Sequence, residues 1–338
     1  MTGTRISSTV DFEKAGRQTG FLRLPHSVHE SAYGWIPIPV VCLKNGKGPT
    51  VLLNSGNHGD EYEGQVTLMK LIRELRAEQV QGRIIFIPAS NFPAAMAGRR
   101  TSPIDGGNLN RSFPGDPNGT PTKMIAHYID SVILPICNYA FDLHSGGSSL
   151  MYVPSALGSL VPGDTERNAK VLELLKVFGA PIGYVANNPL GMGADQTLSA
   201  SAHRNGVTTI GTEAGGSGTV TPAALKIAET GVRRLLKHLG VVGDLRVEPS
   251  LGTRLMEIGG PDYFVYTSEG GGLFEPLVEL GDTIKKDQPA AAIHFSHTPW
   301  REPEIVRFEH DGVVLCKRIP GRTERGDCLF HLGTDYRG

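Results

Sequence analysis

The chain lacks a surplus of charge of either sign. Thirty-three lysines and arginines stand against 34 aspartates and glutamates in 338 residues, a formal net charge of −1. No global field therefore draws it to nucleic acid or to an anionic membrane. It also lacks any run of eighteen apolar residues, so no membrane-spanning helix is expected, and Met1–Ser8 show no apolar leader segment. Cysteine is scarce: Cys42, Cys137, Cys316 and Cys328 are scattered and form no Cys-x-x-Cys pair. Small core residues in a reduced, cytoplasmic protein are the simplest reading. No Gly-x-Ser-x-Gly elbow is present, and Gly215-Gly-Ser-Gly is not followed by Lys-Ser/Thr, which excludes a nucleophile elbow and a P-loop.

What is plentiful is turn. With 43 glycines and 23 prolines the chain reads as folded and turn-rich. Residues 1–48 lean towards β, with Pro37 and Pro39 inside Trp35–Leu43 and a turn at Asn45-Gly46. Strands then alternate with helices. Thr50–Asn54, Arg83–Pro88, Tyr139–Leu143 and Val207–Thr212 read as strands. Tyr62–Arg76 carries Val66, Met69, Ile72 and Leu75 at helical spacing, and Thr122–Leu134, Thr165–Phe178 and Pro222–Leu239 are further helices. The alternation predicts an α/β fold, a mostly parallel sheet flanked by helices. Between Asn91 and Pro121 lies a long stretch dense in Gly, Pro, Asn and Asp; so long a loop in a compact domain is usually functional.

Past residue 242 the pattern becomes short β runs. Gly271-Gly-Leu-Phe-Glu-Pro…Gly281-Asp-Thr-Ile is echoed by Asp311-Gly-Val-Val-Leu…Gly326-Asp-Cys-Leu, which predicts a small all-β barrel or sandwich. Its likeness to biotinyl and lipoyl carriers stops at the hairpin, which reads Phe295-Ser-His-Thr and holds no lysine. The expected organisation is an N-terminal segment over 1–48 packed on either later unit, a catalytic domain over 49–242, and a β-rich domain over 243–338. The last would cover the active site or mediate homo-oligomerisation.

The chemistry sits at strand ends. His58-Gly-Asp-Glu61 closes the apolar run from Pro49, and the i,i+3 spacing lets His58 and Glu61 reach one ion. Asp142-Leu-His144 ends a second strand and runs into Ser145-Gly-Gly; Glu213 ends a third. In parallel sheets ligands bind beyond the carboxyl ends of strands, so these residues can meet. A lone histidine is more often structural, but two imidazoles and a carboxylate with an open fourth position form the catalytic zinc arrangement. Glu213, after an apolar run, is the candidate general base, its carboxyl expected to be raised by partial burial. In the long loop Asn110-Arg111 can hold a substrate carboxylate, and Arg99 or Arg100 can stabilise an oxyanion; spacing alone does not choose between those two. Ser145 points away from His144, Asp60 and Glu63 face solvent or support the site, and Asp142 is a candidate partner behind His144. His294, His297, His310 and His331 lack ligand spacing and are expected at the surface or rim of the β unit.

Taken together, Asn57-His58-Gly-Asp-Glu61, Asn108-Leu-Asn110-Arg111, Asp142-Leu-His144 and Thr212-Glu213-Ala-Gly-Gly resemble the succinylglutamate desuccinylase/aspartoacylase family, relatives of the zinc carboxypeptidases, over about residues 45–335. The resemblance implies a carboxypeptidase-like α/β domain whose C-terminal β domain narrows access. It implies one zinc ion on His58, Glu61 and His144, Glu213 as base, and Asn110 with Arg111 on the substrate carboxylate. It favours Arg100 as the carbonyl-polarising arginine, because Arg100 opens Arg-Thr-Ser-Pro-Ile-Asp. Within the family, Gly20-Phe-Leu-Arg-Leu-Pro, Gly59-Asp-Glu-Tyr-Glu-Gly and Phe113-Pro-Gly-Asp-Pro-Asn-Gly resemble the branch that deacetylates N-α-acetyl-L-2,4-diaminobutyrate in ectoine breakdown. The expected activity is hydrolysis of the amide of a small N-acyl amino acid. Its rivals are a deacylase for another acyl amino acid, a metallocarboxypeptidase needing an open groove, and a non-catalytic binding protein on a hydrolase fold.

Overall fold

The computed structural model describes residues 3–186, 194–258, 263–267 and 271–338. The chain opens antiparallel: β1 (Ser7–Ser8) pairs with β2 (Gly16–Pro25), and β2 with β3 (Trp35–Asn45) along its full length. Next come β4 (Thr50–Ser55), β5 (Gly82–Ile87) and β6 (Tyr139–His144). Every residue of β4 and β5 is buried, as expected for central strands covered on both faces, and this is why they read as unbroken apolar runs. The helices in chain order are α1 (Tyr62–Glu74), α2 (Phe92–Ala97), α3 (Pro121–Tyr128), α4 (Thr165–Phe178), α5 (Leu198–Arg204) and α6 (Pro222–His238). Alternation along the strands divides the core. Val51 and Leu53 pack with Leu68 of α1, Leu174 of α4 and Leu235 of α6, whereas Leu52 packs with Ile125 of α3 and Leu198 of α5.

The sheet is completed by β7 (Leu150–Tyr152), β8 (Ser155–Ser159), β9 (Ile182–Ala186), β10 (Thr208–Glu213) and β11 (Arg254–Ile258). The remaining strands are β12 (Phe264–Tyr266), β13 (Gly272–Pro276), β14 (Thr283–Ile284), β15 (Pro289–His294), β16 (Glu304–Arg307), β17 (Gly312–Arg318), β18 (Arg322–Thr323) and β19 (Cys328–Asp335). Hydrogen bonding runs β1-β2-β3-β5-β4-β6-β10-β8-β9-β11-β19-β17-β14, with β12 on β19 and β7 on β17. Strands β5, β4, β6 and β10 are mutually parallel, as are β8, β9 and β11. The large sheet is therefore continuous from the α/β part into the C-terminal strands. A second sheet, β16-β15-β13-β18, faces its end across Phe274, Ile293, Phe308 and Phe330. The two echoed sequence units place β13 and β17 on opposite layers of this sandwich.

Several expected elements end elsewhere. The helix expected over Thr122–Leu134 stops at Tyr128 and continues as a wide π turn over Ile129–Ile133. A 3-10 turn over Leu134–Ile136 closes the run; Pro135 within it lacks an N–H and crowds the carbonyl four residues back, which disfavours regular α-helical bonding there. The long loop contains α2, and β7, β8, β9 and α5 were not anticipated. Among the described residues no helix is long and apolar enough to cross a membrane.

Candidate metal centre and cavity

The turn after β4 delivers His58, and Glu61 is the extended residue that caps α1 rather than its first helical residue. Gly59 is required between them: a Cβ there would lie 2.0 Å from the Ala94 carbonyl carbon of α2. His144 ends β6 and stands in register with Glu213, the last residue of the adjacent parallel strand β10. Thr212 fastens that pair, its Oγ1 accepting from the His144 N–H at 3.0 Å and donating to the His144 carbonyl at 2.9 Å.

His58 Nδ1 lies 2.6 Å from Glu61 Oε1 and His144 Nδ1 lies 2.7 Å from Glu61 Oε2. All three side chains are buried, and one donor atom from each falls within 4.8 Å of the others. The far nitrogens have their own acceptors: Asn108 Oδ1 at 3.1 Å from His58 Nε2, and Asp142 Oδ2 at 2.8 Å from His144 Nε2. Protons held at Nε2 leave both Nδ1 lone pairs facing a carboxylate. Three sets of lone pairs so close repel unless a cation or a proton lies among them, so the donor set fits a divalent metal. Burial works to raise the Glu61 carboxyl, yet the two imidazoles hold it well below the usual carboxylate range. Burial likewise opposes a charged His144, but Asp142 and Glu61 hold its imidazolium well above the ordinary value.

Asp142 is two residues before His144 and so shares its face of β6. Its Oδ1 accepts from Asn54 Nδ2 at 2.8 Å and its Oδ2 from Asn57 Nδ2 at 2.6 Å. The asparagines 54, 57 and 108 were missed as supporting residues; the i,i+2 spacing of Asp142 and His144 was the signal that could have led to the first two. Asp60 and Glu63 do not face solvent: both are buried, and Asp60 Oδ2 accepts from the Ser148 N–H at 2.8 Å and its hydroxyl at 2.6 Å. The Ser145 N–H donates to Glu61 Oε2 at 3.2 Å.

The long loop folds over this centre. Arg100 reaches in, its Nη1 3.4 Å from Glu61 Oε1, while Arg99 is exposed and does not line the cavity. Arg111 lines it too and donates to its own neighbour's carbonyl, Asn110 O, at 2.7 Å. Asn110 Oδ1 accepts from the Leu198 N–H at 3.0 Å, which ties the loop to α5, and its Nδ2 lies 3.3 Å from His144 Nε2. Glu213 Oε2 is shielded from solvent and has no partner among the described residues. Burial first, then the neighbouring Glu61 carboxylate, push the Glu213 carboxyl up to about 8.

The cavity holding these groups has a volume of about 500 Å³ and is also lined by Tyr152, Tyr184, Phe264 and His331. The last two come from the C-terminal strands. The expectation that His331 sits at the surface or rim is overturned: it is 3% exposed. Five consecutive positions of β19, 329–333, are buried, so no alternation marked the histidine as inward-facing. Among the described residues His58, Glu61 and His144 are the only cluster with metal-ligand geometry, and His294, His297 and His310 form none.

The catalytic-domain signature of the succinylglutamate desuccinylase/aspartoacylase family matches residues 47–239. The chain is 45% identical over 328 residues to the N-alpha-acetyl-L-2,4-diaminobutyric acid deacetylase of Halomonas elongata, covering 96% of this chain and 93% of that protein. A succinylglutamate desuccinylase/aspartoacylase from Rhodobacter sphaeroides superposes with a TM-score of 0.92 at 38% identity, over 98% of this chain and all of the other (100%). The ectoine utilization protein EutE (DoeB) from Ruegeria pomeroyi, solved with product bound, gives a TM-score of 0.91 at 38% identity, over 97% and 98% of the two chains. The chain belongs to the succinylglutamate desuccinylase/aspartoacylase family.

Proposed function

We propose that this member of the family is a zinc-dependent amidohydrolase that removes the acetyl group from N-α-acetyl-L-2,4-diaminobutyrate. The observation that carries the reading is the meeting, in one cavity, of a buried His-Glu-His donor set with Glu213 in register beside it. The name of the Halomonas elongata relative supports the choice of substrate. His58, Glu61 and His144 would hold the zinc. When bound, zinc polarises the scissile carbonyl and lowers the pKa of water at the site.

The chain's own residues do the rest. Arg111, with Asn110 beside it, binds the α-carboxylate and so fixes the amide over the centre. Arg100 donates to the carbonyl oxygen as it becomes an oxyanion. Glu213 takes a proton from the attacking water, whose oxygen bonds to the carbonyl carbon. Glu213 then returns that proton to the amide nitrogen as the C–N bond breaks, giving acetate and the free amino acid. With zinc held by His58, Glu61 and His144, the Glu61 charge that adds to burial in raising Glu213 would be offset, and Glu213 would be available as a base near neutral pH.

We assign residues 49–242 to the catalytic unit and 243–338 to its cover. The lining of the cavity by Phe264 and His331 favours a small substrate over a peptide laid in an open groove. The four free thiols suit a cytoplasmic setting. The test is amine release by zinc-loaded enzyme from N-α-acetyl-diaminobutyrate, N-acetylaspartate, N-succinylglutamate and short peptides. Selective cleavage of the first is expected. Cleavage of another acyl amino acid would replace the substrate, and cleavage of peptides alone would replace the reaction.

A further inference from the structure

The part of the cavity lined by His331 and Tyr184 is polar in an unusual way. The His331 imidazole is buried, stacked on Phe264 with ring centroids 4.0 Å apart at 4° and on Tyr184 at 5.9 Å and 23°. Neither of its nitrogens has a hydrogen-bond partner among the described residues, and neither does the Tyr184 hydroxyl, although Tyr184 is 1% exposed. Buried polar atoms left unpaired cost stability, so two such side chains lining one cavity call for a ligand that pairs with them. Tyr152, beside them, is already engaged with the Cys316 thiol.

The charges at hand decide what that ligand group is. Among the described residues Arg100 and Arg111 are the cations that line the cavity, and Arg100 and the Asn110 side chain next to Arg111 contact the metal-centre residues. The stretches 187–193, 259–262 and 268–270 contain no lysine or arginine. A side-chain carboxylate would therefore enter a desolvated pocket with no cation to pair it. An ammonium would lie among the aromatic rings that line this part of the cavity, and its N–H groups would find lone pairs on a neutral imidazole and a phenol oxygen. Burial favours the neutral imidazole, pushing His331 down to about 3. Glu213, near enough to act on both tyrosines, adds negative potential.

The geometry points to His331 and Tyr184 as the residues that read the substrate's side chain, accepting hydrogen bonds from a terminal ammonium and so selecting amino acids with a cationic side chain. This inference rests on the deacetylase reading for its location but not for its test, which is binding of the product amino acid. L-2,4-Diaminobutyrate and norvaline differ by NH3⁺ against CH3 at the same position. Calorimetric titration of zinc-loaded enzyme should show at least tenfold tighter binding of the diamine. Tyr184→Phe, which removes one oxygen, and His331→Phe, which keeps the stacking, should each reduce that ratio at least tenfold at unchanged zinc content, and His331→Gln should restore part of it. Equal binding of the two ligands by the wild type, or a ratio that survives both substitutions, overturns the inference whatever the enzyme hydrolyses. A ratio that collapses in the variants of an enzyme inactive on N-α-acetyl-diaminobutyrate sustains the subsite and defeats the deacetylase reading instead.

Discussion

Two groups of side chains that line one cavity are built on opposite rules. At the metal centre every ring nitrogen of His58 and His144 and both oxygens of Glu61 have a neighbour at hydrogen-bonding distance, and Asn54 and Asn57 in turn hold the Asp142 carboxylate that accepts from His144. In the other group His331 and Tyr184 are as deeply buried but unpartnered. The first arrangement is preorganised: its geometry is set by the protein before anything binds. The second is incomplete, and its polar atoms gain partners only when a substrate enters. A metal centre must be right in advance, whereas a pocket that chooses among side chains gains its selectivity by leaving a cost that only one ligand removes.

That contrast can be tested by substitution, starting where the effect is greatest. Glu213→Gln should lower kcat by about 10³-fold, within the range for loss of a general base, while zinc content stays at the wild-type level. Residual activity above a tenth of wild type would remove Glu213 from that role. Asp142→Asn should weaken zinc binding about 10- to 100-fold in a chelator competition, because His144 Nε2 loses its anionic acceptor. An unchanged zinc affinity would mean that the supporting layer is not what orients the ring. Gly59→Ala forces a Cβ into the Ala94 backbone and should cost about 1–3 kcal/mol in denaturant unfolding.

The smallest effect belongs to the other group. His331 titrates near 6.5 when unfolded and is held down to about 3 in the fold. The unfolded chain therefore binds a proton there that the native protein refuses, and stability falls as pH drops from about 6.5 towards 3. In metal-stripped protein His331→Phe should lose on the order of 1 kcal/mol less stability per pH unit than the wild type over pH 6 to 4. Parallel pH profiles for the two proteins would mean that His331 is not buried in neutral form.

The sequence disclosed the metal-centre group far more fully than the other. Apolar runs covered on both faces announced β4 and β5, and the amphipathic pattern of Thr165–Phe178 marked α4 with both bounds correct. Motifs at strand ends brought His58, Glu61, His144 and Glu213 to notice because their residue types are costly where packing alone is at stake. Other elements gave little sign. Leu198-Ser-Ala-Ser-Ala-His-Arg of α5 is built of small residues with hardly any apolar stripe, and Ile182-Gly-Tyr-Val-Ala of β9 is short and broken by glycine. His331 lies within five consecutive buried positions, 329–333, where no period separates inward from outward positions. What made it conspicuous is the absence of a partner, which is a property of three-dimensional surroundings and has no signature in the chain.

The ladder in which Arg254–Ile258 pairs with β9 on one side and β19 on the other has a mechanical consequence. The strand that begins the C-terminal half is stitched into the sheet of the N-terminal half, three residues after the fully exposed Leu251. A protease cutting at Leu251 would sever the covalent link and leave the ladder whole. The nicked protein should elute as a single particle and melt in a single transition, coming apart into two fragments only in denaturant.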